Sequence, residues 1–230
     1  MKTLNDYFSK LYVINLDRRR DRYDKVVTEF KKINANVERV SGIDGRTLPN
    51  AEKLNIKQRA CFGLTSTHYK IIKEAQLKGF ENILIFEDDV MFVDDLNQKF
   101  NEKIEFLPED WDLLYLGGNH ILGNDGFELI TGDKDFKVTK ENYKSLNYEL
   151  SRTPNTWCAH AIAINSKFYD KVLSQIEKDP LACIDVAFYH LQQGGCNTYT
   201  FLPSLAVQGA SFSDIEHINV DYDKMPQVNF

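Results

Sequence analysis

Three consecutive acids, Glu87, Asp88 and Asp89, interrupt an apolar stretch running from Ile83 to Phe92. Adjacent carboxylates repel one another, and holding them together costs free energy unless a cation, hydrogen-bond donors or protonation relieves them. On an extended chain Glu87 and Asp89 point to one side and Asp88 to the other, which makes an acid-x-acid pair. Hard divalent cations take such oxygen ligands, and Mg2+ or Mn2+ commonly joins one or two carboxylates to substrate phosphates. A solvated acidic turn is the plainer alternative. Arg18, Arg19, Arg20 and Arg22 form a second set, and Arg18 and Arg22 follow a strand where a phosphate or a base edge would be met. Asp185 opens a helix, either as its N-cap or as a base that takes a proton from an attacking hydroxyl. Asp214 carries the same ambiguity. His217, in a polar tail beside Asp214 and Glu216, is a candidate third metal ligand or a surface residue. His68 and His160 lie on apolar faces, where a core role competes with ligation.

The elements that must position these groups follow from periodicity. Residues 11–16 are a short apolar run, the pattern of a strand buried on both faces, with Asp17 at the N-cap of a helix from Arg18 that ends near Asn34 and Asn36. A strand over 37–40 and the turn Asp44-Gly45 complete a βαβ unit and predict a parallel sheet. Residues 46–63, with Pro49 as a breaker, read as a surface excursion, and a helix over 65–78 stops at Gly79. The strand at 83–86 then delivers the acids at its carboxyl end, where open α/β sheets bind ligands. A short helix marked by Leu96, Phe100 and Ile104 leads to a strand over 111–116 that runs into Gly117-Gly118, which let the backbone make a tight turn, the commoner reason, or come close to a ligand. Residues 119–156 are polar and irregular, with weak strand signals at 127–130 and 136–139, and read as a flexible wall meeting a second substrate. Strands over 159–164 and 198–202 flank helices from Ser166 and over 185–193.

With 230 residues the chain can bury one sizeable core, and a formal net charge of −6 without a basic stripe argues against a nucleic-acid partner. The apolar run after the polar amino terminus stops at Leu16, too short for a membrane span and wrongly flanked for a signal peptide. A cytoplasmic chain is expected, one compatible with peripheral contact at the inner face of a membrane. Cys61, Cys158, Cys183 and Cys196 show no C-x-x-C spacing, so buried reduced thiols are expected rather than a disulfide framework or a zinc site.

Several stretches together resemble glycosyltransferase family 25, the lipooligosaccharide and collagen galactosyltransferases. Val13-Ile14-Asn15-Leu16-Asp17-Arg18 with Arg22 is similar to its V-I-N-L-x-R-x-x-x-R opening, and Ser41-Gly42-Ile43-Asp44-Gly45 to its A-x-D-G turn. Gly63-Leu64-Thr65-Ser66-Thr67-His68 resembles G-C-x-x-S-H, Ile85-Phe86-Glu87-Asp88-Asp89 its I-x-E-D-D, and Trp111-Asp112-Leu113-Leu114-Tyr115-Leu116-Gly117 its W-D-x-x-x-L-G. Thr67, Ile162 and Ala187 depart from the family pattern, the last replacing the second acid of a D-x-D. The resemblance implies a GT-A-like, Rossmann-type α/β fold with a mostly parallel sheet flanked by helices. It implies a single domain over 1–230, with a nucleotide-sugar and metal half at 11–118 and an acceptor half at 119–230. The implied reaction is inverting transfer of galactose or glucose from a UDP-sugar, with Mn2+ or Mg2+, to a hydroxyl of a glycan, lipooligosaccharide or hydroxylysine-type protein acceptor. Asn15, Leu16, Asp17, Arg18, Arg22, Asp44, His68 and Asp88 would hold the nucleotide sugar; Glu87, Asp89 and His217 the metal; Asp185, then Asp214, would be the base. A binding protein with little transfer activity is the alternative, favoured by Ala187.

Overall fold

The computed structural model describes residues 2–48, 51–121, 127–139, 141–153, 155–221 and 228–229; the expected breaker Pro49 lies outside them. β1 (Lys10–Asn15) is buried along its last five positions, as a strand covered on both faces must be. The chain then makes a turn, and α1 (Arg20–Lys32) starts with Arg19, not Asp17, at its N-cap. The carboxylate of Asp17 is drawn instead to Arg39 at 2.7 Å and Ser41 at 2.7 Å. Both residues belong to β2 (Glu38–Ser41), which pairs parallel with β1 and completes the expected βαβ unit.

α2 (Ile56–Lys78) begins nine residues before the expected helix. Asn55 and Gln58 form a reciprocal capping box that satisfies two amide donors at its start, and Gly79 in the left-handed conformation ends it. Much of the supposed surface excursion is therefore helix. Gly63 lies inside it because a Cβ there would stand 2.2 Å from the carbonyl oxygen of Ile43.

β3 (Asn82–Glu87) and α3 (Leu96–Ile104) follow as the apolar spacing predicts, with the short β4 (Val90–Phe92) between them. β5 (Leu113–Ile121) runs straight through Gly117 and Gly118, which are not a turn. They are small because a Cβ on Gly117 would meet the Ala206 carbonyl oxygen at 2.3 Å, and one on Gly118 the Thr156 side chain at 2.5 Å. β6 (Glu128–Leu129) and β7 (Glu149–Arg152) give the stretch after it more order than its polarity suggests, with Leu129, Val138, Tyr143 and Leu202 forming a small apolar cluster. β8 (Thr156–Asn165), α4 (Tyr169–Lys178), α5 (Ile184–Gln193) and β9 (Thr198–Leu202) complete the main layers. The short strands β10 (Ala206–Gln208), β11 (Ser211–Phe212), β12 (Asn219–Val220) and β13 (Val228–Asn229) close the described chain.

The nine-stranded sheet has the order β2-β1-β3-β8-β5-β9-β7-β6, with β13 on β5. It is the expected α/β sheet flanked by helices, parallel across β2-β1-β3 and between β5 and β9, with β8 antiparallel to both β3 and β5. Strand alternation sorts its side chains into two layers. Leu11, Val13, Leu84 and Phe86 pack with Val26 and Phe30 of α1 and Phe100 of α3. Tyr12, Ile14, Ile83 and Ile85 pack with Ile71 and Ile72 of α2, Val172 of α4 and Phe188 of α5. Each such fully buried large side chain contributes roughly 1.5–3 kcal/mol, so this double layer fixes where the strand ends lie.

The thiols differ from expectation. Cys61 on α2 and Cys183 at the start of α5 are joined as a disulfide, with Cα atoms 4.5 Å apart across a sequence separation of 122. The pairing arises because α2 and α5 pack side by side, an approach also marked by the Thr65 hydroxyl donating to the Ala182 carbonyl at 2.8 Å. Cys158 and Cys196 are free and partly buried. Among the described residues no helix is long and apolar enough to cross a membrane.

Candidate active site

Ile14 of β1 pairs with Glu87 of β3, so the carboxyl ends of two parallel strands meet at one edge. The chain between β1 and α1, the loop after β2, the start of α2, the acids after β3, the start of β8, the start of α5 and the segment 213–217 all converge there. They enclose a cleft of about 620 Å³. Leu16, Arg18, Arg22, Asp44, Glu87, Asp88, Asp89, Asp185, Asp214 and His217 all line it.

Arg22 organises the acids. Its guanidinium lies 2.7 Å from Asp88 and 2.6 Å from Asp89, and its side chain is only 11% exposed. The Asn15 amide donates to the second oxygen of Asp88 at 2.6 Å. Asp88 thus has partners on both oxygens, although burial still pushes its carboxyl up to about 6. Asp89 keeps one buried oxygen with no hydrogen-bond partner. Glu87 is pushed up to about 8, first by burial and then by the charge of Asp89. A carboxylate oxygen without a donor and a neighbour that resists ionisation fit a hard divalent cation, which Glu87 and Asp89 would hold with substrate oxygens filling the other positions. Among the described residues, no three His, Cys, Asp or Glu side chains are gathered as a ligand set. His217 lines the cleft in a left-handed turn, its amide donating to the Ser213 carbonyl and its ring edge-on against Phe212.

Around Arg18 a second ionic group forms. Arg18 donates to Asp44 at 3.0 Å and to Asp214 at 2.7 Å. Arg19 binds the other oxygen of Asp214. The Arg46 guanidinium, helped by its backbone amide and by Arg18, holds Asp44 well below the usual carboxylate range. Asp214, a candidate base, is thus engaged by arginine on both oxygens. Asp185 differs: its carboxylate accepts from the Val186 amide at 2.9 Å, and burial raises its pKa. Cys183, not Asp185, is the helix N-cap.

Three expected binding residues lie off the cleft. Asn15 is buried beneath it and acts through Asp88, and Asp17 faces β2. His68 is fully buried in α2, hydrogen-bonded to the Leu64 carbonyl and edge-on to Phe188. Thr67, in the position of the family serine, uses its hydroxyl to accept the Ile43 amide at 2.9 Å, holding the loop that carries Asp44. Ala187 and Ile162 are buried in the apolar layer between the sheet and the helices. No described residue of 119–156 lines the cleft. Arg46, Lys57, Arg59, Trp157, Gln208 and Glu216, which no motif spacing marks as site residues, line it as well. Asn55, by starting α2 early, is the one local signal that could have brought Lys57 and Arg59 into view.

The chain is similar to several known proteins. A human protein, "Procollagen galactosyltransferase 2", is 24% identical over 163 residues, covering 63% of this chain and 26% of its own length. A rat protein, "Probable inactive glycosyltransferase 25 family member 3", is 30% identical over 168 residues, covering 63% of this chain and 28% of its own. The chain thus spans about a quarter of the length of these relatives. A solved glycosyltransferase involved in glycosylation of the major capsid of PBCV-1 superposes with a TM-score of 0.44 at 12% identity, covering 90% of this chain and 95% of its own. Residues 8–186 match the sequence profile of glycosyltransferase family 25 (LPS biosynthesis protein), and the chain belongs to that family.

Proposed function

We propose that the protein is a metal-dependent, inverting glycosyltransferase that moves galactose or glucose from a UDP-sugar to a hydroxyl of a glycan or glycosylated protein. The observation that carries this reading is the meeting, in one cleft, of Glu87 and Asp89, of Arg18 and Arg22, and of the base candidate Asp185, held by the Val186 amide. A bound Mn2+ or Mg2+ would supply neutralisation of charge on the departing diphosphate. Arg18 binds that diphosphate by exchanging its links to Asp44 and Asp214 for phosphate oxygens, while Arg22 holds Asp88 and Asp89 in place. Asp185 takes the proton from the acceptor hydroxyl as its oxygen attacks the anomeric carbon in line, which inverts the configuration; its raised pKa suits that task. Asp214 anchors the arginines.

The test is a screen of UDP-sugars for Mn2+-dependent hydrolysis, which needs no knowledge of the acceptor. UDP-galactose or UDP-glucose should be turned over by the wild type and not by Asp89→Ala. Asp185→Asn should lower transfer by about 10²–10⁴-fold while UDP binding stays intact. Hydrolysis that persists with excess chelator would overturn the metal requirement. A second reading, nucleotide-sugar binding with little transfer, is supported by Ala187 and by relatives named inactive; UDP binding without turnover of any UDP-sugar would establish it.

A further inference from the structure

Trp157 lines the cleft, is partly buried, and has one ring face against Tyr189, with centroids 4.9 Å apart and planes 26° from parallel. Tyr189 stands one helical turn beyond Asp185 on α5, and residues four apart share a helix face. The stacked pair and the base candidate are therefore presented side by side. The backbone is shaped to do this. Residues 157, 158 and 159 all line the cleft, which regular alternation along a strand forbids. Cys158 adopts a left-handed conformation with φ of 65°, and the pairing of β8 with β5 shifts register between Gly117 and Asn119, the latter opposite Trp157. Bulges near functional sites commonly re-aim a side chain, and a non-glycine residue with positive φ is kept only where its surroundings hold it. The irregularity thus turns the Trp157 side of β8 into the cleft.

Resting on the glycosyltransferase reading above, we propose that Trp157, backed by Tyr189, is the platform of the acceptor subsite and that the acceptor is a pyranose ring. A pyranose has one flat face of C–H groups that lies on an indole plane, while its hydroxyls project from the rim towards Asp185. A ring held rigid by stacking loses little entropy on binding and selects a flat partner. An extended hydroxylated side chain of a peptide gains little from such a plane.

The experiment compares wild type, Trp157→Ala and Trp157→Phe, with melting temperature as a folding control. Methyl β-galactoside, methyl β-glucoside and a hydroxylysine-containing peptide serve as acceptors with UDP-galactose or UDP-glucose and Mn2+. Donor hydrolysis without acceptor is measured in parallel. Trp157→Ala should raise the glycoside KM about tenfold, a larger change than in its own acceptor-free donor hydrolysis, whereas Trp157→Phe should stay within roughly threefold of wild type. Trp111 is buried, so quenching of tryptophan fluorescence by the glycosides reports Trp157 even without turnover. An unchanged glycoside KM or absent quenching would overturn the subsite, and so would transfer to the hydroxylysine peptide alone. Absence of donor hydrolysis in the wild type defeats the transferase reading instead; glycoside quenching lost in Trp157→Phe would then still support the platform, and no quenching would reject it.

Discussion

At the scale of single residues, Arg22 supplies part of the relief that three adjacent acids require. Its two links to Asp88 and Asp89 lie in a largely buried setting, where losing one partner leaves uncompensated charge. Arg22→Ala should therefore destabilise the metal-free protein by about 3 kcal/mol, read by urea denaturation, and Mn2+ should recover part of the loss. His120 is a second case. It is fully buried, and its ring nitrogens meet the hydroxyls of Thr156, Ser204 and Thr200. Burial, and then His160, lowers its pKa to about 3. An unfolded imidazole ionises near 6.5, so between these values the unfolded state binds more protons and stability falls as pH falls. Glu87 and Asp88, whose pKa values are raised, contribute the opposite slope. The measurement is thus the difference between wild type and His120→Asn: from pH 7 to about pH 5 the wild type should lose up to about 2 kcal/mol more.

At the scale of elements, α2 shows how a helix positions a loop. Gly63 lets its axis approach the chain carrying Asp44, and a Cβ on Gly45 would likewise fall 1.9 Å from the Arg59 carbonyl oxygen. Gly63→Ala raises helix propensity by about 1 kcal/mol, yet overpacking against backbone costs about 1–3 kcal/mol. The overlap is with a carbonyl that cannot rotate away, so the second effect should win. Thermal unfolding should show a lower melting temperature together with weaker UDP binding; a stabilised variant would refute the close-packing account. The same helix marks a limit of periodicity. Its start, where the apolar pattern is weak, is specified by the Asn55 and Gln58 cap, a signal of two side chains that is easily passed over.

At the scale of the whole molecule, one sheet holds the arginine side and the Asp185 side of the cleft, and the disulfide ties α2 to α5 across it. Constraining a loop that long removes conformational freedom from the unfolded chain. Replacing both cysteines, Cys61→Ser with Cys183→Ser, should cost about 2–4 kcal/mol, and a thiol reductant should lower the wild-type melting temperature but not that of the double variant. If reductant leaves the wild type unchanged, the link contributes nothing to stability.

The sequence by itself determined the strands at 11–16 and 83–86, the helices with clear apolar spacing, and the delivery of Glu87 to Asp89 to a ligand edge. These depend on the order of neighbouring residues, and period-two and helical patterns are local. It also carried the family, through the order of its motifs. Only the tertiary structure decided that Arg22 grips the acids, that Arg18 and Asp214 meet across 196 residues, that Cys61 finds Cys183, and that Trp157 stacks beside the helix of Asp185. Those pairings follow from which strand lies beside which and how the helices cover the sheet, and no local pattern encodes that.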